Sequence, residues 1–369
     1  MKKQFCMQFL ENISIHGYQN FIRKKIESYS LDLTDKIIFT EVANGAYQFN
    51  GLLPLIAKAK KTYLKVSSSK FGNIKSVEDL FLKHYEDLGL NSEFVFVYSD
   101  EKEALANSDI ITNSGFLRPF TKSKLKHLKP KAVIPLMWET WEFNSNQLDL
   151  DYCKKNSILV LGTCETKEPI DMRRYNALLF LKLLFEMNFS GEKVIVVGGP
   201  DIFSLPMVNL LKHVGIEVLY VSKTPSCDIK WESFLEKKEN ILTNFDYLIF
   251  ANHTYDCNIS DQDSFFKEIA KINPHLKVGN ISSDLSENFL KKYNVNFYPS
   301  KFKGKDAMTF NMYQLGIIPI LDLFIAGLSV GSAMSNAMHL CKNINDAAKY
   351  VLSNSPAMDF EGSNAWIKD

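Results

Sequence analysis

Residues 194–221, VIVVGGPDIFSLPMVNLLKHVGIEVLYV, constrain the fold more than any other stretch. Four β-branched residues run into two glycines. An apolar segment with helical spacing follows, then Gly215 and a second β-rich run over 216–221. Two strands joined by a helix pair in parallel through a crossover, and a parallel sheet has to be covered on both faces. The same alternation extends along the chain. Strand-like runs fall at 36–44, 62–67, 94–100, 110–111, 132–138 and 158–163, and again at 245–252, 276–282 and 294–299. Helical spacing fills intervals such as 51–61, 76–84, 122–131, 205–213 and 263–271. This is the pattern of an α/β protein with mainly parallel sheets.

A long amphipathic segment over 171–189, its apolar residues forming a broad stripe at helical spacing, joins two halves that repeat the scheme. In the first half, strand 109–111, a polar loop, a helix and strand 132–138 end on Glu139. In the second, strand 246–252, a polar loop, a helix and strand 276–282 end on Asp284. The expectation is two Rossmann-like domains, 1–170 and 171–308, with helices over 309–369 returning to an interdomain cleft. Ligands of such folds sit at the carboxyl ends of the strands. A length of 369 residues with 46% hydrophobic side chains suffices for two cores. Lys plus Arg (43) balances Asp plus Glu (42), so nothing points to nucleic acid or an anionic membrane.

The apolar run 316–335 approaches membrane-spanning length. It holds Asp322 and is interrupted by Pro319 and Gly327, so a buried helical hairpin or interdomain helix is expected. The opening residues carry no apolar run of the secretory kind, and a cytoplasmic protein is expected. Cys6, Cys153, Cys164, Cys227, Cys257 and Cys341 are scattered singly. That spacing signals neither a zinc site nor a redox dithiol, and reduced thiols are expected.

A dinucleotide loop needs three small residues, for a tight turn, for close approach of the backbone to a diphosphate, and for packing of helix on strand. Anchoring on Gly215 puts Gly199 first, Asp201 second and Ser204 third; Gly198 precedes them. Asp201 is the uncomfortable member, because its carboxylate would lie beside a diphosphate. The helix N-terminus remains an anion site through its free N–H groups. After the next strand, Ser222 and Lys223 replace the acidic residue that would grip a ribose hydroxyl, which suits the 2′-phosphate of NADP; a polar loop is the plainer reading.

Three further stretches carry chemistry. Arg118, in the loop TNSGFLRP, either binds a carboxylate or phosphate or stands as a solvated turn residue. Trp138 and Trp141 flank Glu139, a candidate acid or base, and either stack on a ligand or pack between domains. In the loop NHTYDC, Asn252 joins the cofactor group and His253 is the best general acid/base candidate; a metal is not expected for want of further ligands. Glu41, Asn44 and Tyr47 surround the turn at Gly45. Lys305 and Asp306 either line the cleft or form a charged surface loop.

The order of a Rossmann-like domain, a long connecting helix, a nucleotide-type domain and returning helices resembles the D-2-hydroxyacid dehydrogenase superfamily. The segment SDIITNSGFLRPFTKSKLKHLKPKAVIPL is similar to that superfamily's strand, loop, helix and "LKPGAV"-like strand, although there it lies in the nucleotide domain and here in the first half. The arrangement DMRRYN…GEKVIVVGG is similar to adenosylhomocysteinase-type enzymes, in which an Arg-bearing helix leads into the cofactor strand. The resemblance implies an NADP- or NAD-dependent oxidoreductase acting on a small polar or anionic substrate, with no nucleic acid or membrane partner and a homodimer admitted. Its Arg–Glu–His catalytic set has no clear counterpart here. A transferase using a nucleotide-linked donor, or a non-catalytic ligand-binding protein, are the alternatives that the same fold allows.

Overall fold

A computed structural model of the chain describes residues 16–69, 72–304 and 307–367. Cys6, Lys305 and Asp306 lie outside them. The chain divides into two compact units, Met1–Asp171 with Ile320–Asp369, and Met172–Pro319.

The first unit holds β1 (Ile37–Glu41), β2 (Lys61–Lys65), β3 (Glu93–Val97), β4 (Ile110–Ile111), β5 (Val133–Pro135) and β6 (Leu159–Thr163). They pair in parallel in the order β3-β2-β1-β4-β5-β6, and the short strand Ala357–Met358 adds antiparallel to β6. The second unit holds β7 (Val194–Gly199), β8 (Val218–Ser222), β9 (Ile229–Lys230), β10 (Tyr247–Asn252), β11 (Lys277–Ser282) and β12 (Asn296–Tyr298). Their order is β9-β8-β7-β10-β11-β12, all parallel. Each sheet therefore grows from its first strand in one direction and then in the other. The result is the Rossmann strand order, with switch points at β1/β4 and β7/β10.

The apolar runs that predicted these strands are apolar because both faces are covered. In β7, Val194 and Val196 pack into one cluster with Leu179, Leu183 and Met207. Ile195 and Val197 pack into the opposite cluster with Phe234, Phe250 and Phe266. Each fully buried aliphatic side chain of this kind contributes about 1.5–3 kcal/mol relative to exposure. The crossover helix from β7 to β8 spans Asp201–His213, four residues longer at its start than its apolar spacing suggested. Pro206 conceals that start, since a proline inside a helix removes one intrahelical donor. The helix ends as its glycine implied. Gly215 takes a φ of +82°, its N–H reaches the Lys212 carbonyl at 3.1 Å, and the Ile216 N–H reaches Leu211 at 3.0 Å.

The apolar run near residue 320 forms one continuous helix, Ile318–Leu340, and not a hairpin. Pro319 is tolerated because it falls in the first turn. The glycines are packing positions. A Cβ on Gly331 would stand 2.8 Å from Ile110 Cγ2 and 3.0 Å from Pro135 Cγ, so only bare backbone lets the helix lie this close to β4 and β5. By length and composition the helix could cross a membrane, but most of it is buried within the protein. Asp322, fully buried, pairs with Lys25 Nζ at 2.8 Å and accepts a hydrogen bond from Tyr29 Oη at 3.0 Å. A buried carboxylate with both an ammonium and a hydroxyl belongs to a protein core.

Candidate functional site

The turn after β7 is shaped by what its glycines leave out. A Cβ on Gly198 would come within 2.6 Å of Ser204 Cβ, so the helix from Asp201 can rest directly on the strand only because Gly198 is bare. Ser204 is fully buried there and its Oγ donates to the Ala251 carbonyl at 3.0 Å. It fills the place of the small third residue and packs helix on sheet. Gly199 stands at the open end of the strand, where an added Cβ would lie 3.2 Å from Thr254 Oγ1 and 3.8 Å from both Ser222 Oγ and Asn252 Oδ1. Gly199, Ser222 and Asn252 thus converge at the carboxyl ends of β7, β8 and β10.

Asp201 begins the helix, but its carboxylate turns toward β8. Oδ1 accepts from Tyr220 Oη at 3.0 Å and from Thr224 Oγ1 at 2.5 Å. Partial burial pushes its pKa up, yet hydrogen bonds from Thr224, Ser226 and Tyr220 prevail and hold it below the usual carboxylate range. Ser222 is buried and its Oγ accepts the Thr224 N–H at 3.2 Å. Lys223 is exposed and pairs with Glu232 at 3.4 Å. Asn252 is fully buried, with Nδ2 donating to the Cys257 carbonyl at 3.2 Å and Oδ1 accepting the Cys257 N–H at 3.4 Å. That reciprocal pair folds the loop 253–257 back over β7, where Cys257 Sγ reaches the Gly198 carbonyl at 3.8 Å. Burial pushes the Cys257 thiol up to about 12, so it is no nucleophile.

His253 sits across the switch point from the glycine turn. Its N–H donates to the Gly199 carbonyl at 2.7 Å. Its ring stacks on Phe203 with centroids 4.9 Å apart, and Nδ1 lies 3.3 Å from Ser282 Oγ at the end of β11. Burial lowers its pKa below the ordinary imidazole range, which keeps the ring neutral at pH 7. Neither Phe203 nor Ser282 was singled out from the sequence. Ser282 closes a strand of the same sheet edge, and that position was the available signal.

Arg118 and Glu139 belong to the first unit. Arg118 follows β4, donates from Nη1 to Gln147 Oε1 at 2.7 Å and lies 4.8 Å from the Trp138 ring centroid. Its loop is organised by Glu41, whose buried carboxylate accepts the Gly115 N–H at 3.1 Å and the Phe116 N–H at 2.6 Å. Burial pushes Glu41 up, partly offset by those two N–H groups. Glu139 accepts from Trp141 Nε1 at 2.6 Å and from the Glu165 N–H at 3.1 Å. Trp141 is half exposed, its indole turned onto this carboxylate. Among the described residues, no group of three or more His, Cys, Asp or Glu side chains is placed to hold a metal ion.

No protein-family model matches the sequence, and no curated protein matches it. Solved structures do. One component of the dipicolinate synthase from Bacillus halodurans is 13% identical, with 84% of this chain and 98% of that one covered at a TM-score of 0.45. A 2-hydroxyacid dehydrogenase from Ketogulonicigenium vulgare is 10% identical over 83% and 95% of the two chains, at 0.43. D-lactate dehydrogenase with NAD+ from Lactobacillus jensenii is 13% identical over 75% and 97%, also at 0.43. The chain is similar to these proteins in fold class. At such identities and scores the likeness carries no argument about ligand or reaction.

Proposed function

We propose that the chain is an NAD(P)-dependent oxidoreductase acting on a small polar or anionic substrate, with the dinucleotide held by the second unit. The observation that carries the reading is the β7/β10 switch point, where the Gly198–Gly199 turn and His253 meet at one sheet edge. The residues there fit a dinucleotide. Gly199 presents bare backbone, Ser204 keeps the helix tight on the strand, and Asp201 is drawn aside by Tyr220 and Thr224. When bound, the nicotinamide supplies hydride transfer. The protein's part is the proton. A neutral His253 accepts it from a substrate hydroxyl during oxidation and returns it during reduction, with Ser282 orienting the ring. Arg118 offers a substrate carboxylate a guanidinium whose plane is steadied by Trp138 and Gln147.

Turnover of reduced dinucleotide with a panel of small 2-oxo acids tests this reading. His253→Gln is expected to lower kcat by roughly 10²–10⁴-fold while dinucleotide Kd stays within about threefold. Because burial depresses the His253 pKa, the acid limb of the oxidation rate should fall below the ordinary value of about 6.5. An unchanged kcat in His253→Gln would remove His253 from the mechanism.

A further inference from the structure

We infer that Asp201 selects the cofactor: its carboxylate, carried on the first turn of the helix and delivered to the end of β8, accepts a ribose hydroxyl of an unphosphorylated adenosine and turns away a 2′-phosphate, so that the chain takes NAD and not NADP. This rests on the dinucleotide reading above and narrows it to one member of the pair.

In a Rossmann unit the adenosine ribose lies between the carboxyl ends of the first and second strands, here β7 and β8. An acid ending the second strand usually meets its hydroxyls. β8 ends at Ser222 and is followed by Lys223 and Thr224, so that acid is missing from its usual place. Asp201 restores a carboxylate to the same corner by another route. Tyr220 lies in β8 and Thr224 two residues past it, and both donate to Asp201 Oδ1. These donors are neutral hydroxyls, so the charge is offset only by the nearby Lys230. A carboxylate offers about four acceptor sites, and with Tyr220, Thr224 and Ser226 already donating to it, one remains for a ribose hydroxyl.

The residues that would favour a 2′-phosphate are engaged elsewhere. Ser222 is buried with its hydroxyl on Thr224. Lys223 pairs with Glu232. Lys230 donates to the Thr224 carbonyl at 2.7 Å and to the Lys223 carbonyl at 3.2 Å. It also lies near enough to attract Asp201, which keeps that carboxylate ionised. A phosphate carrying nearly two negative charges would enter this corner against a fixed one, whereas a hydroxyl would find an acceptor.

Calorimetric titration of the full chain with NADH and NADPH tests the inference. The wild-type protein should bind NADH at least tenfold more tightly than NADPH. Asp201→Asn should bring the two within about threefold by weakening NADH and admitting NADPH, and Lys223→Ala should leave the wild-type ratio in place. Equal or tighter NADPH binding by the wild type would overturn the inference and leave the dinucleotide reading standing. So would an unaltered ratio in Asp201→Asn that melts like the wild type, or a loss of NADPH binding confined to Lys223→Ala. Silence toward both dinucleotides would overturn the reading and the inference together. A wild-type ratio of one or below overturns the inference even if Asp201→Asn fails to fold, and Asp201→Ser then carries the test of the carboxylate itself.

Discussion

Asp322→Ala is expected to destabilise the first unit by about 3–5 kcal/mol, the cost of removing one partner from a buried ion pair. The carboxylate is fully buried in the helix Ile318–Leu340. It meets Lys25 Nζ at 2.8 Å and the Tyr29 hydroxyl at 3.0 Å, so it joins the helix His16–Ser28 and the residue after it to the helix nearly 300 positions later in sequence. The Lys25 side chain is only 15% exposed, and without Asp322 its ammonium would keep most of its desolvation cost and lose the countercharge. Asp322→Asn retains an acceptor for Tyr29 and should cost less. Urea unfolding, followed through the transition of the first unit, gives both values. A loss below 1 kcal/mol for Asp322→Ala would show that the pair is solvated and that the helix is held by apolar packing alone.

Gly198→Ala is expected to be the most damaging single methyl in the second unit. Its Cβ would stand 2.6 Å from Ser204 Cβ and 3.1 Å from Tyr220 Cε2, and the first of these neighbours is fixed to the helix backbone. Relief requires lifting the helix from the strand, which breaks the Ser204 bond to Ala251 and moves Asp201 from β8. Overpacking of this kind costs roughly 1–3 kcal/mol. Dinucleotide affinity should fall at least tenfold, because the turn itself moves. Ser204→Gly placed in the same chain removes the clashing atoms. The double variant should then be more stable than the sum of the single changes by about 0.5–3 kcal/mol. Additive effects would mean that Gly198 and Ser204 do not meet.

Much of this architecture can be read directly from the residues. β7 and β10 are buried on both faces, so their sequences are uninterrupted apolar runs. Gly215 needs a positive φ, and that requirement fixed the frame in which Gly199 and Ser204 take their places. What could not be read depends on partners distant in sequence. Nothing local to Asp201 announces that its carboxylate turns to residues 19 and 23 positions later, yet that turn changes its meaning from an obstacle to a ligand for ribose. Asn252 looks like a free polar group at a strand end, and only the fold-back of Cys257 occupies its amide. Pro206 hid the true start of its helix, and Pro319 with Gly327 made one long helix resemble two. β9 has two residues, too few for any periodicity.

The measurement that bears most directly on the central claim is calorimetric titration of the purified full chain with NAD+, NADH, NADP+ and NADPH, paired with thermal unfolding under the same conditions. The account predicts saturable binding of a nicotinamide dinucleotide at one site per chain. Free ligand at 100 times its Kd should then stabilise the protein by about 2.7 kcal/mol, and in Gly198→Ala the same concentration should give about 1.4 kcal/mol or less. Absence of heat and of any thermal shift with all four, in a protein that melts cooperatively, would contradict it; binding of a nucleotide-linked sugar in their place would give the β7 turn to a transferase.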